Sequence, residues 1–311
     1  MLYDGLGILA SIAILSVGGE ALVRYAVRLA AVLNISPTVV GLTVVAFGTS
    51  APELATALFA AFDGYGGLAV GNVIGSNIAN IGLILGATAA LAPMVAERRF
   101  VRREVLFLVI TALALSACIA IGSINRVMAL ILLLMLGYFL RMLLRDGKLE
   151  EEIDPDEEGS SALAPLLGTL VGLALLIFGA RWLVVAATNI AEGFGVSERV
   201  IGLTVVAFGT SVPELAASVF AAIKKEVGLV LGNIVGSNIF NTLLILPAAI
   251  LVQPLEVQPS TFGIDLAVML GFSLMLLVVF LRSHRLNRIE GVFMLLAYCG
   301  YVAWLGTQSG V

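Results

Sequence analysis

The chain has 311 residues, of which 60% are hydrophobic and 12% are charged, and its formal net charge is −4. Soluble domains carry about 25% charged residues, so this composition excludes an ordinary water-soluble fold. Apolar stretches of about 20 residues recur along the sequence, which is the length at which a helix crosses a bilayer. They lack the period-two alternation of a membrane β-barrel. The sequence therefore predicts an all-α polytopic membrane protein.

We predict ten transmembrane helices. In chain order they span approximately 5–30, 37–62, 67–91, 103–121, 126–144, 163–189, 198–222, 227–251, 262–282 and 288–307. No basic run precedes the first apolar stretch, so we expect no cleaved signal peptide. The segment EEIDPDEEG at 151–159 is too polar to be buried and is typical of a solvated linker.

Two motifs occur twice in the sequence. GLTVVAFGTSAPELA at Gly41 returns as GLTVVAFGTSVPELA at Gly202. GNVIGSNIANIGLIL at Gly71 returns as GNIVGSNIFNTLLIL at Gly232. Both pairs are 161 residues apart, and two independent motifs at one offset indicate an internal duplication.

The duplication divides the chain into two five-helix repeats. We assign 1–144 to the first repeat, with its motif at 41–85, and 163–311 to the second, with its motif at 202–246. An acidic linker at 145–162 joins them. Because each repeat has an odd number of spans, the second repeat is expected to be inverted, as in many secondary transporters.

The Lys and Arg residues predict the orientation in the membrane. On the predicted topology, 14 of the 17 basic residues fall on one side, and only Arg126, Arg181 and Arg199 fall on or toward the other. Cytoplasmic loops carry the excess of positive charge. The linker should therefore be cytoplasmic and both termini extracytoplasmic.

The first motif places a proline inside a predicted span in each repeat. Pro52 has no N–H, and its ring clashes with the carbonyl four residues back, at Gly48, so the helix should kink or break. Pro213 repeats the arrangement. A backbone group freed inside a membrane must be satisfied by protein, water or a ligand, and a cation is one such ligand.

Oxygen-bearing side chains surround both breaks. The first motif contributes Thr49, Ser50 and Glu53 with the counterpart Glu214, and the second contributes Asn72, Ser76, Asn77 and Asn80 with Asn233, Ser237, Asn238 and Asn241. A glutamate inside a membrane is costly and indicates function. The set contains no His or Cys, so it favours Ca²⁺, Na⁺ or Mg²⁺ over Zn²⁺ or Cu²⁺. The two negative charges of the glutamates balance the charge of one Ca²⁺. Mg²⁺ fits such a site less well because it gives up its bound water reluctantly.

These motifs resemble the two α-repeats of the sodium/calcium exchangers, within the cation/calcium antiporter superfamily, and the likeness spans the whole chain. The resemblance implies ten helices in two inverted halves, with the first and sixth helices sliding to alternate access. It also implies four cation sites. Their implied ligands are the carboxylates of Glu53 and Glu214, the side-chain oxygens of Thr49, Thr210, Ser50, Ser211, Ser76 and Ser237, the carbonyls of Ala46 and Ala207 freed by the breaks at Pro52 and Pro213, and the amides of Asn80 and Asn241.

The resemblance also bears on which ions are coupled. Archaeal and potassium-dependent exchangers can carry Asp at the position of Asn241, so potassium coupling is not expected. The proton-coupled branch typically has Glu where Gly75 and Gly236 stand, which argues against proton coupling. The linker of about 18 residues lacks a long regulatory domain and resembles prokaryotic members, which implies the plasma membrane of a prokaryote.

The predicted function is a secondary active antiporter that exchanges Na⁺ for Ca²⁺ by alternating access, is electrogenic and extrudes Ca²⁺. No cofactor and no partner protein are expected. A first alternative is an exchanger of Ca²⁺ or another cation for H⁺, in which glutamate carries the proton. A second is an ion channel, because carboxylates and freed carbonyls also form selectivity filters, although an inverted duplication suits alternating access better. An enzyme is not expected, since HExxH, GxSxG and a histidine within a span are all lacking.

Overall fold

The computed structural model describes residues 2–146, 161–194 and 207–308, and nearly all of them are helical. The helices are α1 (Leu2–Val32), α2 (Pro37–Thr49), α3 (Ala51–Phe62), α4 (Gly66–Leu91), α5 (Arg98–Ala120), α6 (Arg126–Asp146), α7 (Leu163–Gly193), α8 (Ala207–Thr210), α9 (Val212–Ile223), α10 (Val227–Val252), α11 (Pro259–Ser283) and α12 (Arg288–Gln308). Four two-residue strands are β1 (Met94–Val95), β2 (Ser123–Ile124), β3 (Leu255–Glu256) and β4 (Arg285–Leu286).

The helices confirm a polytopic membrane protein. Among the described residues, eight helices are long and apolar enough to cross a membrane, and α2 with α3 makes a ninth if this bent pair is one span. The seventh predicted span is described only from Ala207 onward, and its first part, 198–206, lies outside the described residues. Most of the predicted linker, 147–160, also lies outside them. The count of ten spans therefore stays a prediction.

Both copies of the first motif interrupt their helix at the same serine. Helix α2 ends before Ser50, whose φ is −81° and ψ is 8°, and α2 and α3 meet at a bend of 45°. In the second repeat, Ser211 separates α8 from α9 with φ −88° and ψ 0°. Pro52 and Pro213 each lie in the first turn of the following helix. The missing N–H is tolerated there because N–H groups of the first turn have no acceptor within the helix.

The described residues form two compact units. Unit 1 takes its residues from 1–52 and 147–233, and unit 2 takes its residues from 53–146 and 234–311. Each unit therefore contains parts of both sequence repeats, because the chain passes from unit 1 to unit 2 within α3, returns to unit 1 after Asp146 and passes to unit 2 again within α10.

Glycines allow the helices of unit 1 to pack backbone against backbone. Helix α1 packs along α7, where a Cβ at Gly172 would lie 2.6 Å from the backbone nitrogen of Leu22. Helix α2 packs in the same way on the first turns of α10, because a Cβ at Gly232 would lie 2.5 Å from the carbonyl oxygen of Thr38. Small residues permit such close approach between membrane helices. The second contact brings the end of α2 beside Asn233.

Unit 2 is held together by the packing of α4 on α12 and by two short strand pairs. A Cβ at Gly86 would lie 3.0 Å from the carbonyl oxygen of Gly291, so this helix pair also depends on small residues. Strand β1 pairs with β4 and β2 with β3, both antiparallel. These strands join the loops at the ends of the helices, and they are too short to be predicted from the sequence.

Candidate functional site

Unit 1 contains a buried carboxylate, that of Glu214 in the first turn of α9. Glu214 is only 1% exposed to solvent. Its Oε1 accepts a hydrogen bond from the hydroxyl of Ser50 over 3.2 Å. Its Oε2 is buried and has no hydrogen-bond partner among the described residues. An ionised carboxylate that is buried without a counter-ion is strongly unfavourable, so this group requires either a cation or a proton.

A chain of hydrogen bonds orients the hydroxyl of Thr49. This hydroxyl donates to Oδ1 of Asn233 over 3.1 Å, and Nδ2 of Asn233 donates to the hydroxyl oxygen of Ser218 over 3.0 Å. All three residues are buried. A hydroxyl that donates its proton keeps two lone pairs, so the oxygen of Thr49 can also bind a cation.

The carbonyl of Ala46 departs from the sequence prediction. It accepts a hydrogen bond from the backbone N–H of Ser50 over 3.1 Å and lies 3.4 Å from the hydroxyl of Thr49. The prediction that the break frees this carbonyl is therefore wrong, because the helical hydrogen bonding continues one residue past Thr49. A carbonyl oxygen has a second lone pair, so the hydrogen bond does not prevent it from binding a cation.

The second copy of the motif is not identical in geometry to the first. The N–H of Ser211 donates to the carbonyl of Phe208, three residues back, over 3.1 Å, whereas the N–H of Ser50 donates to the carbonyl of Ala46, four residues back. Thr210 is half-buried, whereas its counterpart Thr49 is fully buried. The two halves of the duplication therefore supply different environments for the same residue types.

Unit 2 contains a second buried set of polar groups, on α3, α4 and the later turns of α10. Glu53 is 1% exposed, and its backbone carbonyl accepts a hydrogen bond from Nδ2 of Asn72 over 3.1 Å. Nδ2 of Asn241 donates to Oδ1 of Asn77 over 3.1 Å. The hydroxyl of Ser237 and Oδ1 of Asn241 are buried and have no partner among the described residues. Both are therefore oxygens that a cation could satisfy.

Two π-helical turns begin at predicted ligands. Helix α4 widens over Asn80–Leu85, and α10 widens over Asn241–Ile245. Such turns shift the direction of the side chains around them and occur frequently at functional sites. The hydrophobic pattern of the sequence predicts neither turn. The one available signal is an asparagine at equal positions of the two repeats within otherwise apolar helices.

The predicted ligands are distributed over both units. Unit 1 contains Ala46, Thr49, Ser50, Ala207, Thr210, Ser211 and Glu214, and unit 2 contains Glu53, Ser76, Asn80, Ser237 and Asn241. Across the described residues, no group of three or more His, Cys, Asp and Glu side chains is arranged to hold a metal. Asn77 and Asn233, named among the oxygen-bearing side chains but not among the implied ligands, hydrogen-bond to the ligands Asn241 and Thr49. Ser218, which the sequence does not single out, hydrogen-bonds to Asn233.

The chain is similar to known proteins over almost its entire length. The family described as sodium/calcium exchanger protein matches residues 4–145 and 164–307. CaxA of Alkalimonas amylolytica, which is named as an antiporter, is 39% identical over 312 residues that cover 97% of this chain and 98% of CaxA. The sodium/calcium exchanger MaX1 of Methanosarcina acetivorans is 31% identical over 333 residues, covering 93% and 94% of the two chains.

A solved structure supports the same relationship. The sodium-calcium exchanger NCX_Mj matches with a TM-score of 0.86 and 33% identity, over 97% of this chain and 99% of that one. The resemblance that the GTSAPE, GTSVPE and GSN motifs indicate is thereby confirmed. The chain belongs to the sodium/calcium exchanger family of membrane antiporters.

Proposed function

We propose that this protein exchanges Na⁺ for Ca²⁺ across the membrane by alternating access. The observation that carries the proposal is the buried carboxylate of Glu214, which has one oxygen without a partner among the described residues and a second that accepts a hydrogen bond from the hydroxyl of Ser50. A bound cation supplies the positive charge that balances this carboxylate. Glu53, equally buried, is the second carboxylate, and two carboxylates balance one Ca²⁺.

The ligands proposed are those named from the sequence. They are Glu53, Glu214, Thr49, Thr210, Ser50, Ser211, Ser76, Ser237, Asn80 and Asn241, with the carbonyls of Ala46 and Ala207. Hydroxyl, amide and carbonyl oxygens suit Ca²⁺, which takes about 6–8 oxygens in flexible geometry. Further support comes from relatives, because MaX1 is named a sodium/calcium exchanger and NCX_Mj structures were obtained after soaking with Na⁺, Ca²⁺ or Sr²⁺.

The proposal includes ten membrane crossings in two inverted halves. Support comes from the constant offset of 161 residues, the helix interruptions at Ser50 and Ser211, and the π-helical turns at Asn80 and Asn241. The excess of Lys and Arg on one side assigns that side and the linker at 145–162 to the cytoplasm. Both termini are then extracytoplasmic, in the plasma membrane of a prokaryote, and transport requires no cofactor and no partner protein.

We further propose that exchange is electrogenic. If three Na⁺ move against one Ca²⁺, each cycle transfers one net positive charge in the direction of Na⁺ movement. That charge is worth about 2.3 kcal/mol per 100 mV of membrane potential. An inside-negative cell therefore favours Na⁺ entry and Ca²⁺ extrusion.

Radioactive Ca²⁺ uptake into proteoliposomes tests this function. Vesicles loaded with Na⁺ are diluted into Na⁺-free buffer, and a parallel set carries an outward proton gradient without Na⁺. We expect Na⁺ to drive uptake and the proton gradient to drive none. An inside-positive potential should accelerate the Na⁺-driven uptake, because net positive charge leaves the vesicle. Uptake driven only by protons would instead assign Ca²⁺/H⁺ exchange, and uptake without any counter-ion would indicate a channel.

A further inference from the structure

Asn77 follows the predicted ligand Ser76 in α4 and has partners of its own. Its Oδ1 accepts a hydrogen bond from Nδ2 of Asn241 over 3.1 Å. Its Nδ2 lies 3.1 Å from Oγ1 of Thr242 and 3.8 Å from the sulfur of Met269. All these residues belong to unit 2, and the four that form the network are at most 3% exposed. The network connects α4 to the π-helical turn of α10 and to α11.

The partners of Asn77 determine which way its amide faces. The thioether sulfur of Met269 carries no proton and can only accept, so the amide nitrogen must lie on its side. The hydroxyl of Thr242 can donate or accept and is compatible with either orientation. The oxygen of Asn77 is therefore directed at Asn241.

The orientation of Asn77 determines that of Asn241 in turn. The oxygen of Asn77 attracts an amide NH₂ and repels an amide oxygen, so Nδ2 of Asn241 faces Asn77. Oδ1 of Asn241 then points away from Asn77, and it is buried with no partner among the described residues. Ser237, one helical turn earlier, presents a second buried oxygen of this kind. A cation requires the oxygen of Asn241, because the NH₂ group carries partial positive charge.

We propose that Asn77 is a positioning residue that turns the oxygen of Asn241 toward the bound cation. The inference rests on the proposed function, in which Asn241 is a cation ligand. Groups that hydrogen-bond to metal ligands fix the orientation of those ligands, and their loss costs about 10- to 100-fold in metal affinity. The role of Asn77 is thus to select which atom of a neutral amide the ion meets.

The duplication supplies a matched control for this role. Asn238 is the counterpart of Asn77, 161 residues later, and it is also 3% exposed. Its Nδ2 donates to the carbonyl of Ile234 in its own helix over 2.8 Å. The positions that correspond to Thr242 and Met269 are Ile81 and Leu108, which have no polar side-chain atom. Asn238 therefore lacks the side-chain partners that orient Asn77.

A double-mutant cycle tests the proposal on the purified full-length protein. Na⁺ affinity is measured from the Na⁺-dependent rise in unfolding temperature for the unmodified protein, Asn77→Leu, Asn241→Ala and the double variant. We expect Asn241→Ala to weaken Na⁺ binding and Asn77→Leu to weaken it about tenfold or more. In the Asn241→Ala background, Asn77→Leu should cause no further loss, because both changes remove the same ligand oxygen. Any effect of Asn238→Leu should be the same in both backgrounds, because Asn238 donates to a carbonyl of its own helix and not to Asn241.

A conservative variant protects the test against a folding defect. Asn77→Asp keeps an acceptor for Nδ2 of Asn241, and Thr242 can donate to its second oxygen, so Na⁺ affinity should be no weaker than in the unmodified protein. The proposal would be overturned if Asn77→Leu weakened Na⁺ binding equally in both backgrounds. An unchanged Na⁺ affinity in Asn77→Leu or in Asn241→Ala would also overturn it. So would a loss of Na⁺ affinity in Asn77→Asp as large as the loss in Asn77→Leu. Binding is measured without transport. Failure of Na⁺-driven Ca²⁺ uptake by the unmodified protein would therefore overturn the proposed function separately.

Discussion

Replacing Glu214 by glutamine is expected to abolish Na⁺-driven Ca²⁺ uptake. The change removes one of the two proposed carboxylate charges, while the amide oxygen can still accept the hydrogen bond that Ser50 donates over 3.2 Å. Removing one partner of a buried ion pair costs about 3–5 kcal/mol. Ca²⁺ affinity should then fall by about two to four orders of magnitude. Uptake into Na⁺-loaded proteoliposomes measures the loss, and Glu53→Gln should cause a loss of the same order.

Glu226 provides the control for this substitution. It lies in the loop between α9 and α10, outside the ligand set, and partial burial raises the pKa of its carboxyl above the usual value. Glu226→Gln removes the same charge from the same unit and should leave uptake close to that of the unmodified protein. Robust exchange by both Glu53→Gln and Glu214→Gln would remove the carboxylates from the transport mechanism.

Adding one methyl group at Gly232 is expected to disrupt the site from a distance. A Cβ there would lie 2.5 Å from the carbonyl oxygen of Thr38 and 3.0 Å from the Cα of Gly41, both backbone atoms that cannot rotate aside. Helix α2 must then move away from α10, which separates Thr49 from Asn233. We expect Gly232→Ala to destabilise the protein by about 1–3 kcal/mol, as overpacking does. Thermal unfolding and Ca²⁺ uptake should both show the loss.

The counterpart of Gly232 in the first repeat is Gly71, which serves as the control. A Cβ at Gly71 would meet only Cε1 of Phe262, at an ordinary contact distance of 3.7 Å. Alanine favours a helix over glycine by about 1 kcal/mol, so Gly71→Ala should be neutral or slightly stabilising. Equal behaviour of the two variants would show that the α2–α10 contact does not position the ligands.

The features that depend on composition and covalent geometry could be predicted from the sequence. The predicted span 227–251 agrees with helix α10, which occupies Val227–Val252. The agreement arises because the thickness of the membrane sets the length of an apolar stretch that crosses it. The interruptions at Ser50 and Ser211 follow from prolines two residues later. These signals act locally, so a single sequence contains them.

The features that depend on packing between helices could not be predicted. The hydrogen bond to the Ala46 carbonyl depends on the residue at which the helix ends. The proline alone fixes that end only to within one residue. The π-helical turns at Asn80 and Asn241 have no local sequence pattern. The network of Asn77 depends on α11, which supplies Met269 from a distant part of the chain.

One part of that network does have a sequence signal. The repeats read NIG at Asn80 and NTL at Asn241, so Thr242 replaces an isoleucine beside the asparagine. A hydroxyl gained at one repeat position but not at the other indicates a polar contact that only one half makes. Comparison of the repeats for such differences, and not only for their identities, would have pointed to Asn77.

The proposed function requires that Ca²⁺ and Na⁺ bind in turn to the same buried oxygens, and equilibrium Ca²⁺ binding measures the resulting competition. Radioactive Ca²⁺ is titrated onto the purified protein at a series of Na⁺ concentrations. We predict that Na⁺ raises the apparent Kd for Ca²⁺ without lowering the amount bound at saturation, and that Glu214→Gln removes the Na⁺-sensitive binding. Ca²⁺ binding that persists unchanged at saturating Na⁺ would contradict shared binding, because it would require separate sites for the two ions.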